Sequence, residues 1–193
     1  MKCKKYLLLV GLLLSQTAFG QVQSHQRELN EINEKLMIGL GSYAVSNFIY
    51  GGIGYLSTDD EYSRHFHQMN IMWNTVNLGL AVPGYLKASK DSKALSAEEL
   101  NRLQKKTELI FLVNDVLDIG YVAAGFWLKR NADSQGDQEA MYRGYGDSMI
   151  MQGSVLLAFD ALAYIIHHNH GKQLDKMALQ TKGNSIVVSI SLD

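Results

Sequence analysis

The chain has 193 residues, a net charge of −1 and one cysteine. That length is one domain, and the balanced charge gives no basic footprint for nucleic acid. Charged residues are only 19% of the chain, with Gly at 17 and Pro at 1, a profile of close-packed helices rather than a turn-rich sheet.

Residues 1–20 read as a cleaved secretory signal. Lys2, Lys4 and Lys5 form a basic start, Leu7 to Leu14 is apolar, and Ala18-Phe19-Gly20 offers small residues two apart. Maturation before Gln21 removes three lysines, so the net charge moves from −1 to −4. It also removes Cys3, which excludes disulfides and cysteine-ligated metals in the mature chain. The alternative is an uncleaved anchor.

From Gln21 the pattern is polar with helical spacing at Leu29, Ile32 and Leu36, and Ser24 is the expected N-cap. It runs unbroken into a first span at about residues 36–56. This span is rich in Gly and Ser, which let helix backbones approach closely in lipid. Asn47 sits midway, with Tyr43 and Tyr50 on the same face. An acidic connection holds Asp59, Asp60 and Glu61. The second span, about 67–86, is the most polar. His67, Asn70, Asn74 and Asn77 recur every three or four residues and form one stripe. Pro83 frees the carbonyl of Gly79 and bends the last turn.

Ser96 and Glu99 spell a capping box, so the third helix starts near Ala97. Its apolar span, about 108–128, places Asn114, Asp118, Tyr121 and Gly125 on one face with Asp115 beside them. Trp127, Lys129 and Arg130 suit a membrane interface. The fourth span, about 148–167, carries Gln152 and Asp160 toward one side. Residues 171–193 are a polar tail. Ser185 to Leu192 alternates in the manner of a strand, and Thr181 to Asn184 offers a hairpin turn. The tail is the expected surface for a homo-oligomer or an envelope partner, by strand addition.

The fold class expected is therefore all-α: a four-helix up-down transmembrane bundle over residues 21–170, with the lipid bilayer as its main partner. A cleaved signal puts the mature N-terminus outside the cytoplasmic membrane of a bacterium. Six lysines and arginines then lie in the outer connection against four inside, which opposes the positive-inside tendency. Counting inward from the outer boundary at about 1.5 Å per residue, the polar side chains of separate spans fall in a slab under about 10 Å thick, near mid-bilayer. The candidate midplane site is Asn47, Asn74, Asn77, Asn114, Asp115, Asp118, Tyr121, Gln152 and Asp160. Buried intramembrane carboxylates point to an ion, proton or small-molecule site. The competing reading is polar bridging between helices.

No serine–histidine pairing, H-E-x-x-H or phosphate loop is present, so no catalytic residue is assigned. No cofactor is named by the sequence, and a metal is left open. His65 and His67 fall on the opposite membrane face from His167, His168 and His170. The latter group is either a transition-metal ligand set or a solvated interfacial cluster.

The motifs Asp118-Ile119-Gly120-Tyr121 with Gly125, Gly144-Tyr145-Gly146, Gln152-Gly153 and Phe159-Asp160 resemble those of a family of uncharacterised small membrane proteins of Bacteroidetes. The likeness covers roughly residues 30–170. It implies a multi-pass helical protein of the cell envelope with polar intramembrane positions, and no catalytic residues. Function is thus expected to be structural or ligand-binding. The alternatives are a small ion or solute transport component using Asp115, Asp118 and Asp160, and a secreted soluble bundle.

Overall fold

The computed structural model describes the backbone of residues 2–90 and 93–190 and the side chains of residues 19–90 and 93–175. Four helices make up the fold: α1 (Lys2–Ser57), α2 (Glu61–Ala88), α3 (Ala97–Asn131) and α4 (Glu139–Ile190). Two single 3-10 turns, Ala132–Ser134 and Gly136–Gln138, join α3 to α4. Gly136 adopts φ 53° there, a conformation open to glycine at little cost. No strand occurs among the described residues.

The helix starts follow local chemistry. Asp60 caps α2 by accepting from the Ser63 backbone N–H at 2.8 Å. Ser96 and Glu99 form a reciprocal capping box on α3, as expected. Ser24 is not a cap. α1 begins at Lys2, and the Ser24 hydroxyl instead meets Glu28 Oε1 at 3.4 Å. The leader's leucines are strong helix formers, so nothing in the backbone marks a stop before Ser24. The expected hairpin at Thr181–Asn184 is also absent, because α4 continues to Ile190. A lone hairpin has no sheet to join and is marginal in isolation, whereas helix extension satisfies its own backbone. Side chains of the tail beyond Asp175 and of the leader before Phe19 lie outside the described residues.

α1 packs along α2, and α3 along α4; the two hairpins meet chiefly through α2 and α4. Those two run parallel. Near the start of both helices Tyr62 donates to Asp147 (3.0 Å) and Tyr145 donates to Gln68 (2.9 Å), and further along both Gln152 meets Asn70. Close approach depends on glycine. A Cβ built on Gly125 would lie 2.7 Å from the Gly146 carbonyl oxygen, and one on Gly146 would lie 2.7 Å from the Gly125 oxygen.

Burial is inverted relative to a water-soluble bundle. Buried polar side chains outnumber buried apolar ones among the described residues, while Ile49, Ile53, Leu56, Val76, Val116, Ile119, Phe126 and Leu162 stand exposed. An apolar outer surface on this scale marks a face meant for something other than water. Three helical segments, Phe19–Ser57, Ala97–Ser134 and Gly136–Asp175, are long and apolar enough to cross a membrane. α2 does not meet that standard, so the composition supports three such helices and not the expected four. The reason is division of faces: its inner side is Asn70, Asn74 and Asn77, and its outer side carries Met72, Val76, Leu80 and Leu86.

Candidate functional site

Two polar assemblies fill the middle of the bundle. The first is an amide chain joining α1, α2 and α4. Tyr43 Oη donates to Gln152 Oε1 at 2.8 Å, and the Gln152 amide nitrogen donates to Asn70 Oδ1. Asn74 donates to Asn70 Oδ1 at 2.9 Å, and Asn77 donates to Asn74 Oδ1 at 3.3 Å. Asn47 donates to the Tyr43 carbonyl at 3.0 Å, while its own carbonyl receives Asn70 at 3.3 Å. Asn70, Asn74 and Gln152 are fully buried. Each fixes the amide orientation of the next, so the stripe has one hydrogen-bonding solution.

The second assembly is acidic. The Asp118 carboxyl of α3 and the Asp160 carboxyl of α4 line one cavity, close enough to act on each other, and Asn114 lines it beside them. Ionised carboxylates have no donor. Two carboxylates held close together repel unless one is protonated or a cation lies between them. Asp118 Oδ2 and Asp115 Oδ1 remain buried without a partner. Asp115 lies close enough to act electrostatically on both members of the pair.

A cavity of about 210 Å³ opens onto this pair. Asn77, Asn114, Asp118, Tyr121 and Asp160 supply its polar lining; Leu40, Trp73, Leu117 and Leu156 supply apolar walls. Trp73 of α2 meets Tyr121 of α3 edge-on, with ring centroids 4.5 Å apart. A second cavity of about 370 Å³ shares Leu40, Leu80, Asn114 and Asp160 with the first. It extends to Asn30, Asn33 and Lys87 at the end of the bundle where α1 enters. Together they form a groove from that polar end to the acidic pair.

The expected site residues thus divide. Asn77, Asn114, Asp118, Tyr121 and Asp160 line the cavity, and Asn47, Asn74 and Gln152 belong to the amide chain. Asn77 belongs to both. Asp115 lies beside the pair and lines neither cavity. Asn70 is the hub of the amide chain and stands outside the expected site set, although its place in the α2 stripe marked it.

The far end is closed by charge. Lys129 Nζ lies 2.5 Å from Asp147 Oδ1, and Tyr62 holds the other carboxylate oxygen. Arg143 bridges Glu139 (2.9 Å) and Asp133. The Asp60 carboxyl at this end is held below its ordinary range by the Ser63 side chain and backbone N–H.

A helical bundle with an apolar exterior, a polar interior and three helices able to cross a bilayer defines the class. The DUF6992 family, a family of unknown function, matches residues 39–161. The chain belongs to that family, and the matched stretch contains every expected site residue. No curated protein and no solved structure matches the chain.

Proposed function

We propose that this chain is an integral protein of a bacterial cytoplasmic membrane that binds a small cation or protonated amine at its midplane acidic pair. The observation that carries the reading is that Asp118 and Asp160 line one cavity from α3 and α4, with buried unpartnered carboxylate oxygens on Asp118 and Asp115. A cation there would offset the charge of the two carboxylates and satisfy those oxygens together with the Asn114 amide oxygen. Buried intramembrane carboxylates are costly enough to require such compensation. Polar bridging alone accounts for the amide chain, but it leaves the open volume beside the acids unexplained.

In this reading α2 is a fourth span, shielded on its polar side by α1 and α4. The leader is removed before Gln21, within α1, which places the remaining N-terminal turns and the groove mouth outside the cytoplasm. The Bacteroidetes resemblance agrees with that assignment. Alkaline carbonate extraction tests the membrane claim: retention in the pellet supports it, and release into the supernatant overturns it.

The binding claim is tested by thermal unfolding of the purified protein in detergent, against sodium, potassium and a small primary amine. One of these is expected to raise the midpoint in a saturable manner, and Asp118→Asn and Asp160→Asn to remove the rise while the protein still accumulates. An unchanged response in both variants, or no response in the parent protein, refutes it. Liposome uptake of the same cation, lost in Asp118→Asn, would extend binding to transport.

A further inference from the structure

A second constellation lies at the groove-mouth end, away from the acidic pair and beyond the stretch matched by the family. His25 and Glu28 sit three residues apart on one face of α1. His170 faces them from α4. One ligand atom from each of the three lies within 4.8 Å of the others. The two imidazoles are stacked, with ring centroids 3.7 Å apart and planes inclined by 15°. His25 is 4% exposed and His170 is 7% exposed, while the Glu28 side chain is 54% exposed and open to water.

The hydrogen bonds of Gln104 fix the protonation of His170. The Gln104 amide nitrogen reaches Glu108 Oε1 at 3.0 Å and the His167 carbonyl at 2.5 Å. Both are acceptors, so the nitrogen must point there and the Gln104 oxygen must face His170. His170 Nδ1 lies 3.0 Å from that oxygen and must carry the proton. In the neutral ring, Nε2 is then a bare lone pair. It is buried, has no hydrogen-bond partner, and sits 3.7 Å from the Glu28 carboxylate. His25 Nε2 is likewise buried and unpartnered. A cation among these groups would satisfy both unpartnered ring nitrogens and the Glu28 carboxylate together, with His25 taking the tautomer that bares its Nε2.

We infer that His25, Glu28 and His170 bind one divalent transition-metal ion of the zinc class, with Gln104 as the positioning residue for His170. Two imidazoles and one carboxylate suit zinc and its neighbours, and leave a position for water. Magnesium and calcium prefer oxygen donors throughout. The Nδ1–H to Gln104 bond is the outer support that metal-bound histidines commonly have. Metal–donor bonds of about 2.0–2.2 Å require donor atoms about 3.3 Å apart. Binding therefore draws the three groups inward and rotates the rings out of their stack. It would also tie α1 to α4, which otherwise touch only lightly.

The test uses the full chain, purified in detergent with a tag that contains no histidine and stripped with a chelator. Zinc is titrated calorimetrically and cobalt by its visible absorption. One equivalent is expected to bind, with cobalt showing the intense bands of a four- or five-coordinate site. His25→Gln and His170→Gln should each weaken binding at least about tenfold, and Gln104→Leu by about 10–100-fold. His168→Gln, outside the donor set, should leave affinity unchanged. Glu28→Gln, at an exposed position, supplies a donor variant that keeps the fold if the buried changes do not. Zinc should raise the unfolding midpoint of the parent protein and not of Glu28→Gln. Undiminished binding in Glu28→Gln and His170→Gln, loss of binding only in His168→Gln, or no saturable binding in the parent overturns the inference.

Discussion

Gly125→Ala isolates the energy of helix contact between α3 and α4. The added Cβ would stand 2.7 Å from the Gly146 carbonyl oxygen, 2.8 Å from Ile150 Cγ1 and 3.0 Å from the Ile150 nitrogen. Two of these are backbone atoms and cannot rotate aside. Ordinary contact begins near 3.4 Å, so the helices must separate locally by about 0.7 Å. A gap of that size forfeits roughly a quarter to a half of each dispersion contact lining it. Overpacking of this kind costs about 1–3 kcal/mol. Alanine returns about 1 kcal/mol of helix propensity, and this must be removed from the comparison. Gly120→Ala does so, because that glycine lies on the same helix with nothing within 4 Å. The expected result is that Gly125→Ala is about 1–3 kcal/mol less stable than Gly120→Ala, the two propensity gains cancelling. Unfolding in mixed detergent–dodecyl sulfate micelles, followed by tryptophan fluorescence, reads the difference. Gly146→Ala should behave like Gly125→Ala, and the double variant should cost less than the sum, since one separation relieves both clashes. Equal stability of Gly125→Ala and Gly120→Ala, within about 0.5 kcal/mol, would refute the packing argument.

Gln152→Ala removes the partner of Tyr43 and Asn70 at a fully buried position. At roughly 0.6 kcal/mol per intramembrane hydrogen bond, plus a cavity, the loss should be about 1–3 kcal/mol in the same unfolding assay. A neutral result would show that the amide chain re-pairs without it. Asp60 tests the pH response. Its folded carboxyl titrates below its ordinary value because the Ser63 side chain and N–H bond the charged form. Its contribution is therefore present above the unfolded carboxylate range and lost as pH falls through the lower folded value. Asp60→Ala should reduce stability at neutral pH and flatten that acid-side loss; an unchanged acid slope would sink the assignment of the cap.

Which polar residues share a level along neighbouring helices is legible in the sequence, because that needs only helix rise and the helix positions. Asp118 and Asp160 line one cavity. The Ser96 capping box was legible because both partners lie within four residues. The parallel contact of α2 with α4 was not, since an up-down order leaves open which helices share the long faces. Nor was the role of His25. The His25 and Glu28 spacing is visible on α1, but their third partner is 142 residues away in a cluster that reads locally as His167-His168-x-His170. Gln104 gave no signal at all: a lone glutamine in a polar stretch acquires its meaning only from the two acceptors that orient it. The tail misled because alternation is a weak guide where no sheet exists to reward it.

The low hydropathy of α2 and the polarity of the bundle core have one cause. A helix crossing lipid must satisfy its backbone internally but can hide polar side chains against protein. α2 presents Asn70 to α1 and α4, where it finds partners, while Asn74 bonds Asn70 and Asn77 bonds Asn74 along α2 itself. Averaged over the helix, those residues pull the composition below the threshold for a span, while the exposed face remains apolar. Composition scores a helix as if it stood alone. α2 never stands alone, since Asn70 is held by Asn47 of α1 and by Gln152 of α4. The polar stripe is therefore an assembly surface, and Asp118 and Asp160 on α3 and α4 line a cavity bounded by Asn77 at the end of that stripe.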